Sequence, residues 1–316
     1  MAVIGAGSFG RNHLRVLRNS PNAQLVAVVD ANPDRAAAAS AEFACRAVSD
    51  LGALQGEIDA AVVAVPTVAH AEVGCRLLED GIDVLVEKPI AFDAASGRRL
   101  VDTARKHGRI LQVGHLERFN PAVIALRRIS TTPLFFEIHR MSVFTPRSLD
   151  VDVVLDLMIH DVDIVLSLVG RAPEEIRAVG LPVLTNKVDI ANVRLAFPGG
   201  CVANLTASRV STERVRKLRV FQPSQYVSLD YQRQDLLTFT VEEGQDAAGK
   251  EIRCEAAAVE KSEPLKLEVE EFLASVAARS EPPVTGEEGL AALEVALAIL
   301  GKIEEHAQQI SEQLVR

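Results

Sequence analysis

The chain has 316 residues, of which 48% are apolar, and it carries a formal charge of −9 at neutral pH. Its length predicts two domains, and its apolar content excludes global disorder. The acidic balance argues against a nucleic-acid-binding protein, although a few arginines in one pocket would suffice for a small anionic ligand.

Segments for targeting, membrane insertion or cross-linking are not expected. No apolar run approaches the ~18 residues that a membrane span requires. The N-terminus enters a strand directly, without a basic region or a small-residue cleavage site, so we expect no signal peptide. The four cysteines are scattered without CxxC spacing. This spacing argues against disulfides and zinc, and it favours a reducing, cytoplasmic location.

In the first 120 residues, short apolar runs alternate with amphipathic stretches. The runs predict strands at Ala2–Gly5, Leu25–Asp30, Arg46–Val48, Asp59–Pro66, Ile82–Glu87 and Ile110–Gly114. The stretches between them predict helices at Phe9–Asn19, Asp34–Phe43, Ala69–Asp80 and Ala94–His107. Unbroken Val, Ile and Ala strands with helical spacers are typical of a parallel sheet covered on both faces. Residues 1–120 are therefore predicted to form a doubly wound α/β domain.

Beyond residue 120 apolar and polar residues alternate within the strands. Such strands are predicted at Leu134–His139, Ala191–Phe197, Cys201–Ser208, Leu218–Phe221, Tyr226–Asp230 and Leu237–Val241. Helices are predicted at Val151–Leu168, Lys266–Arg279 and Glu287–Ile310. Consecutive strands with few helices between them favour an antiparallel sheet. Residues 121–316 are therefore predicted to form an α+β domain with a large, mostly antiparallel sheet, for substrate binding and oligomerisation.

A GxGxxG motif at Gly5–Gly10 follows the first strand and opens the first helix. In this context Gly5 permits a tight turn, Gly7 lets the backbone approach a pyrophosphate, and Gly10 lets the helix pack closely on the strand. The helix N-terminus then offers N–H groups to phosphate. The alternative is a glycine turn without a ligand. The motif predicts a Rossmann dinucleotide-binding site.

Asp30 ends the second strand twenty residues after the motif. Its carboxylate is positioned to accept both ribose hydroxyls and to repel a 2′-phosphate, which favours NAD over NADP. Arg35 lies close enough in the sequence to accommodate that phosphate instead. The cofactor prediction is NAD.

Two further groups follow the fourth and fifth strands. Pro66 and Thr67, with His70 after them, form either a wall for the nicotinamide half of the cofactor or an ordinary turn and helix cap. Lys88 lies between Glu87 and Pro89 at the end of an apolar run, where it either faces the cofactor crevice or is a solvated surface lysine.

The helix Val151–Leu168 carries Asp156 and His160 four residues apart on one face, with Asp163 near that face. His160 lies between apolar residues and is expected to be half buried. It is either a histidine satisfied in the core or a general base that accepts the proton of a substrate hydroxyl. The spacing would also admit a metal pair, but without a third ligand we predict no metal site.

These motifs resemble the Gfo/Idh/MocA family of oxidoreductases over nearly the whole chain. The resemblance is carried by GAGSFG at 5–10, VPTVAH at 65–70, EKP at 87–89, RFNPA at 118–122, DLMIHDVD at 156–163 and the closing stretch at 282–300. It implies that Lys88 and His160 form the catalytic pair, assisted by Asp156. The glycines that often precede the family's helix aspartate are replaced here by residues 152–155.

The resemblance also implies the composition of the two binding sites. The predicted cofactor-binding residues are Gly5, Gly7, Ser8, Phe9, Gly10, Asp30, Arg35, Pro66, Thr67, His70, Glu87 and Lys88. The predicted substrate-binding residues are His115, Glu117, Arg118, Phe119, Asn120, Arg147, Asp156 and His160. For His115 and Glu117 the alternative is a cap at the domain junction.

Residues 113–122 and 146–170 narrow the resemblance to bacterial members that oxidise the 3-hydroxyl of UDP-N-acetylglucosamine. Those enzymes supply a 3-keto sugar nucleotide for lipid A precursors. A UDP-sugar carries a diphosphate, so an arginine clamp is expected. The candidates, each of which could instead be a surface arginine, are Arg118, Arg140, Arg147 and Arg209.

Two alternatives to this activity remain open. One is a dehydrogenase of a free polyol or sugar such as inositol, and the other is a non-catalytic member that senses NAD or a sugar. In each case the partner is a small molecule, with neither nucleic acid nor membrane insertion. We also expect a homodimer or homotetramer formed through the second sheet, with contributions from Leu195, Phe197, Val202, Leu205 and Val220.

Overall fold

A computed structural model describes residues 1–145, 151–243 and 249–314 of the chain. It contains two compact units. Unit 1 comprises residues 1–119 and 263–293, and unit 2 comprises residues 120–262 and 294–316. This division agrees with the predicted change near residue 120 but differs from it in one respect, because residues 263–293 belong to unit 1.

Unit 1 is built on a parallel sheet of six described strands. These are β1 (Ala2–Ile4), β2 (Ala27–Val29), β3 (Arg46–Val48), β4 (Ala60–Val63), β5 (Asp83–Glu87) and β6 (Leu111–Gly114). The strand order is β3-β2-β1-β4-β5-β6. All the residues of β1, β4 and β5 are buried, as expected for apolar strands covered on both faces. The order reverses at β1 and β4, whose carboxyl ends form the crevice in which such sheets bind ligands.

The helices of unit 1 lie between these strands and after them. They are α1 (Ser8–Asn19), α2 (Pro33–Phe43), α3 (His70–Glu79) and α4 (Ala94–His107), joined later in the chain by α7 (Pro264–Ala278). The apolar face of α7, formed by Leu265, Val269 and Phe272, belongs to the same buried cluster as Leu14 and Leu17 of α1. This shared core explains why a segment so distant in sequence belongs to unit 1.

Unit 2 contains a sheet of eight described strands in the order β14-β13-β12-β11-β7-β10-β9-β8. These are β7 (Phe135–Val143), β8 (Glu175–Leu181), β9 (Ile190–Ala196), β10 (Val202–Ser211), β11 (Val215–Gln222), β12 (Gln225–Asp230), β13 (Asp235–Glu243) and β14 (Lys250–Ala256). Every pairing is antiparallel except that of β7 with β10. The mostly antiparallel sheet is therefore confirmed, but its two edge strands, β8 and β14, were not predicted from the sequence.

The remaining helices are α5 (Pro121–Ile129), α6 (Ile159–Val169) and α8 (Gly286–Leu314). The sequence did not predict α5, although Asn120 caps it through a hydrogen bond from the Ala122 N–H and proline occupies its first turn. A π-helical turn at Val154–Met158 precedes α6. None of the helices described is both long and apolar enough to cross a membrane.

The two faces of the unit 2 sheet differ in burial, which corrects the residues expected at an oligomer interface. Leu195, Phe197, Leu205 and Val220 are at most 1% exposed within the isolated chain. Their side chains are buried in the hydrophobic core and offer no surface to a partner. Val202 differs from them, because it is only half buried.

Candidate functional site

The GxGxxG loop has the close backbone approaches that its glycines predict. Gly5 has a φ of +102°, and a Cβ there would lie 2.4 Å from the carbonyl oxygen of Ala64. A Cβ on Gly10 would lie 1.8 Å from the carbonyl oxygen of Gly5, which is far inside van der Waals contact. A Cβ on Gly7 would meet nothing within 4 Å, so the requirement for glycine there does not come from the protein itself. Gly7 leaves open space at the N-terminus of α1.

Asp30 lies beside this loop and is held by two backbone groups. Its Oδ2 accepts the Ala6 N–H at 2.7 Å, and its Oδ1 accepts the Asn32 N–H at 2.8 Å. A carboxylate has about four acceptor positions, so both oxygens keep capacity for ribose hydroxyls. Asp30 thus has a fixed orientation after β2, and its role in binding a ribose stays a prediction.

A cavity of about 530 Å³ opens next to these groups. It is lined by Ala6, Gly7, Ser8, Arg11, Asn32, Asp34, Arg35 and Ala38. Asn32 caps α2 by accepting the N–H groups of Asp34 and Arg35. Phe9, the other predicted loop residue, is 53% exposed. The glycine backbone, the free N-terminus of α1 and the oriented carboxylate together fit the diphosphate and ribose of a dinucleotide.

The end of β4 is organised by a buried histidine. His70 is 1% exposed, and its Nδ1 and Nε2 lie 2.9 Å from the carbonyl oxygens of Pro89 and Val65. Burial lowers the pKa of His70, against the effect of these carbonyls. Because both ring nitrogens face backbone oxygens, His70 joins the loop after β4 to the loop after β5 and has no nitrogen left for a direct cofactor bond. A short 3₁₀ turn begins at Thr67, directly after Pro66, at this edge of the sheet.

The end of β5 carries Glu87 and Lys88. Glu87 is buried and its Oε1 lies 2.6 Å from Nε2 of His13 on α1. Lys88 is the next residue and is half buried. Because β1, β4 and β5 are neighbouring parallel strands, Lys88 follows its strand at the same edge of the sheet as the GxGxxG loop.

The predicted substrate residues after β6 are mostly internal. His115, Arg118, Phe119 and Asn120 are each at most 3% exposed, whereas Glu117 is half buried. Arg118 pairs with Glu288 at 3.1 Å within unit 1. The Asn120 side chain donates to the carbonyl oxygen of Tyr231 at 3.0 Å while capping α5. The side-chain oxygen of Asn120 and one of its amide hydrogens thus serve the fold of unit 2.

In unit 2, Asp156 and His160 lie where the helix geometry changes. Asp156 is inside the π-helical turn, in which Ile159 donates its N–H to the carbonyl oxygen of Val154 five residues back. His160 follows in the first turn of α6. Both side chains are half buried, as the sequence predicts for His160. Single π-helical turns occur frequently at functional sites, and the sequence did not predict this one.

A buried ion pair adjoins His160. Arg140 of β7 donates two hydrogen bonds to Asp161, of 2.7 and 2.8 Å, and both side chains are about 2% exposed. The Tyr231 hydroxyl donates to Asp161 at 3.3 Å, and the Arg140 guanidinium lies 4.9 Å from the centre of the Tyr231 ring. Arg140 is therefore a structural residue and not part of a diphosphate clamp.

The other clamp candidates have different outcomes. Arg209 is buried, donates to the carbonyl oxygen of Val151 and lies 3.7 Å from Asp189. Arg118 is paired as described above. Arg147 lies outside the described residues. The arginine clamp thus remains a prediction.

Residues 1–115 match the oxidoreductase family with an NAD-binding Rossmann fold, GFO/IDH/MocA, and residues 130–222 match the GFO/IDH/MocA C-terminal domain. UDP-N-acetylglucosamine 3-dehydrogenase from Acidithiobacillus ferrooxidans is 36% identical, over 97% of this chain and 98% of that protein. The chain belongs to the GFO/IDH/MocA oxidoreductase family.

One match to a solved structure and one further match in sequence add detail. A solved structure of the Acidithiobacillus ferrooxidans enzyme has a TM-score of 0.90 and covers 96% of this chain and 97% of that one. The inositol 2-dehydrogenase of Rhizobium meliloti is 26% identical over 97% of both chains. These matches confirm the predicted oxidoreductase class, NAD as cofactor and the two-part α/β fold of a GFO/IDH/MocA protein.

The motifs did not mark the buried carboxyl group of Glu268, which lies close to Glu87 and His13. One signal was present in the sequence. Glu268 occupies the apolar face of α7, at the spacing set by Leu265, Val269 and Phe272. A charged residue on the buried face of a helix needs a partner or a proton.

Proposed function

We propose that this GFO/IDH/MocA protein oxidises the 3-hydroxyl of UDP-N-acetylglucosamine to a ketone with NAD⁺. The observation that carries the proposal is the full-length similarity to UDP-N-acetylglucosamine 3-dehydrogenase, and the chain has Lys88, Asp156 and His160 in the motifs that the family resemblance marks as catalytic. NAD⁺, when bound, supplies the acceptor for the hydride that leaves the sugar carbon. The remaining chemistry belongs to side chains of this chain.

In this proposal Lys88 donates a hydrogen bond to the reacting oxygen and stabilises the developing alkoxide. His160 accepts the hydroxyl proton on a ring nitrogen, and Asp156 orients the sugar or the imidazole. The half-buried setting of each side chain limits water around it, which strengthens its electrostatic effect.

The test is formation of NADH from UDP-N-acetylglucosamine by purified protein. Lys88→Ala and His160→Asn should each lower kcat by about 10²- to 10⁴-fold, the usual range for acid–base groups. Lys106→Ala, at an exposed position on α4, is the matched control and should retain full activity. Undiminished turnover in both active-site variants contradicts the proposed roles. Binding of NAD without turnover of any sugar would instead indicate a sensor.

The cofactor site has its own test. Gly7→Ala introduces a methyl group with no protein atom within 4 Å, so it should leave the fold intact and weaken NAD binding. Asp30→Ala should reduce the preference for NAD over NADP, because the carboxylate that repels a 2′-phosphate is gone. Unchanged affinities for both dinucleotides in both variants would place the cofactor elsewhere.

A free polyol is the second candidate substrate, and the match to an inositol 2-dehydrogenase favours it over other sugars. A panel of UDP-sugars, free N-acetylglucosamine and myo-inositol separates the two candidates. A kcat/KM for inositol above that for UDP-N-acetylglucosamine would reverse our choice. Activity on UDP-N-acetylglucosamine but not on free N-acetylglucosamine would show that the protein recognises the nucleotide part of the substrate.

We further propose that the protein is a homo-oligomer through the outer face of the unit 2 sheet, and not through the core residues first expected. This face carries a row of rings from Phe135, Phe221, Tyr226 and Phe239, with centroid distances of 5.5, 4.8 and 5.0 Å. Exposed aromatic patches of this kind are typical of contact surfaces. We expect a homodimer or a homotetramer.

Sedimentation tests the oligomer. Phe221→Asp should convert the oligomer to monomers, because it buries an unpaired charge in the interface. Val183→Asp, at a position 56% exposed on the same unit, is the control and should not change the mass. A wild-type monomer at micromolar concentration would contradict the proposal.

A further inference from the structure

Glu268 of α7 is a buried carboxyl group with an unusual environment. The residue is 0% exposed, and neither side-chain oxygen has a hydrogen-bond partner in the part of the chain that the structure describes. One polar atom from each of His13, Glu87 and Glu268 lies within 4.8 Å of the others. Within this group, Nε2 of His13 and Oε1 of Glu87 lie 2.6 Å apart. Three elements, α1, β5 and α7, thus bring titratable groups to one buried point.

The two neighbouring carboxyl groups, of Glu87 and Glu268, differ in how readily they ionise. Burial and the charge of Glu87 both raise the pKa of Glu268 well above the ordinary glutamate range. Burial also opposes ionisation of Glu87, but the hydrogen bond to His13 and the nearby charges of His13, Lys88 and His70 outweigh it and lower the pKa of Glu87. Among the described residues, the titratable groups that face one another here are Glu268, Glu87, His13, Lys88 and His70. The charge therefore belongs to Glu87 and the proton to Glu268.

A hydrogen bond to the backbone carbonyl of Glu268 holds this residue in place. Gln112 of β6 donates its side-chain amide to the Glu268 carbonyl oxygen at 3.2 Å, and Gln112 is itself fully buried. This bond ties α7 to the strand next to β5. The side chain of Glu268 is consequently directed by a fixed helix toward the end of the strand that carries Lys88.

We propose that Glu268 is a positioning residue that holds a proton in this cluster and so keeps Glu87 hydrogen-bonded to His13, which fixes the chain at Lys88. The inference rests on the proposed function, because it affects catalysis only if Lys88 acts on the substrate. An ionised Glu268 would place a second buried anion beside Glu87 and displace it, and the backbone of Lys88 would follow.

A divalent cation is the competing occupant of the same three side chains. Ligand atoms around such an ion each lie about 2.0–2.2 Å from it, so two ligand atoms are separated by roughly 3 Å or more. The 2.6 Å contact between His13 and Glu87 is shorter than that and is the length of a direct charged hydrogen bond. The geometry therefore favours a proton.

The first experiment needs no catalytic assay. Infrared difference spectra of the full chain at neutral pH, wild type minus Glu268→Gln, should show the C=O stretch of one protonated carboxylic acid. Glu271→Gln, at an exposed position on the same helix, should leave that band in place. If wild-type protein has no such band, or contains one equivalent of a metal that Glu268→Gln lacks, the proposal is overturned. The wild-type measurement decides this even if a variant folds poorly.

The second experiment measures the consequence for catalysis. Glu268→Gln keeps a neutral polar group of the same shape, so its kcat should stay within about threefold of wild type. Glu268→Ala should lower kcat by between about ten- and a hundredfold, the range expected for small misplacement of a reacting group, with little change in KM. A Glu268→Ala variant that loses stability but keeps its kcat contradicts the positioning role.

The outcomes separate this inference from the proposed function. If Lys88→Ala retains activity while the infrared band is present, the role of Lys88 fails and the protonated cluster stands. If Lys88→Ala is inactive and both Glu268 variants have the wild-type kcat, the proposed function stands and the positioning role fails.

Discussion

Lys88 and His160 each have a buried carboxylate as a chain neighbour, but the two units hold these carboxylates differently. In unit 2, Asp161 is bound by Arg140 through two hydrogen bonds and by the Tyr231 hydroxyl. In unit 1, Glu87 is bound by His13, with a second carboxyl group close by. Arginine remains charged at every accessible pH, whereas histidine and glutamate titrate. The support of His160 therefore has a fixed charge, and that of Lys88 depends on protons.

The largest expected effect is in unit 2, where the charge is fixed. Arg140→Met leaves Asp161 buried without its cation, which should lower the free energy of unfolding by about 3–5 kcal/mol. Urea unfolding followed by tyrosine fluorescence reports this unit selectively, because both tyrosines of the chain, Tyr226 and Tyr231, lie in it and the chain has no tryptophan.

Two further variants give that result its meaning. Replacing both partners, Arg140→Met with Asp161→Leu, should recover most of the loss, since no unpaired charge remains. Arg194→Met, on an exposed position of the same sheet, should have almost no effect. An equal loss in the double variant would show that packing, and not charge, holds this part of unit 2.

The equivalent change in unit 1 should be smaller. His13→Leu removes the hydrogen bond to a buried charged group, which costs about 1.5–3 kcal/mol. The loss should shrink as the pH falls, because the lowered pKa of Glu87 stabilises the fold only above the ordinary glutamate range and that stability disappears as Glu87 takes up a proton. Hydrogen exchange of the β1 and β5 amides measures it.

Asn12→Leu, one residue away on the exposed face of α1, is the control for His13→Leu and should leave exchange unchanged. If the loss from His13→Leu were the same at every pH, Glu87 would not be the group that His13 stabilises.

The sequence alone predicts some parts of these two regions better than others, because the elements differ in how clearly their residue patterns indicate their structure. The buried strands of unit 1 were predicted because unbroken apolar runs such as residues 60–63 have few alternatives. The edge strand β14 was missed because its residues, KEIRCEA, are largely polar. Lys88 and His160 stood out in motifs, whereas the π-helical turn before His160 depends on tertiary packing that local sequence does not express.

The same limit applies to the supports of the two catalytic candidates. Arg140 was a candidate for the diphosphate clamp, with a surface arginine as the alternative, because an arginine in a strand gives no indication of its partner. Its pairing with Asp161 depends on the folded structure. Glu268 could have been noticed as a charge on an apolar helix face, but neither His13 nor Glu87 could have been named as its neighbours. Contacts between distant segments decide both cases.

The pH dependence of Glu268→Gln should be the next largest effect and separates the two units most directly. The pKa of Glu268 is raised in the fold, so the folded state holds a proton that the unfolded chain releases. Wild-type unit 1 should therefore lose stability as the pH rises above the ordinary glutamate range, by up to about 1.4 kcal/mol per pH unit. The loss continues until the pH reaches the raised pKa. Glu268→Gln lacks this dependence, so its stability should rise relative to wild type over the same window.

Stability–pH curves from hydrogen exchange of unit 1 give the comparison, and tyrosine fluorescence of unit 2 serves as the internal control because Glu268 is not part of that unit. Parallel curves for wild type and Glu268→Gln would mean that Glu268 has no raised pKa, which would remove the distinction between the two supports.

The smallest expected effect isolates the third member of the unit 2 cluster. Tyr231→Phe removes a hydroxyl whose hydrogen bond to Asp161 is long, 3.3 Å, and keeps the ring over which Arg140 lies. The expected loss is about 0.5–1 kcal/mol, because Asp161 retains both bonds from Arg140. Urea unfolding followed by Tyr226 fluorescence measures it. In the Arg140→Met background the same change should cost more, since the hydroxyl is then the last described side-chain donor to Asp161. An equal cost in both backgrounds would mean that Tyr231 acts through its ring alone, and that the fixed charge of Arg140 is sufficient for Asp161.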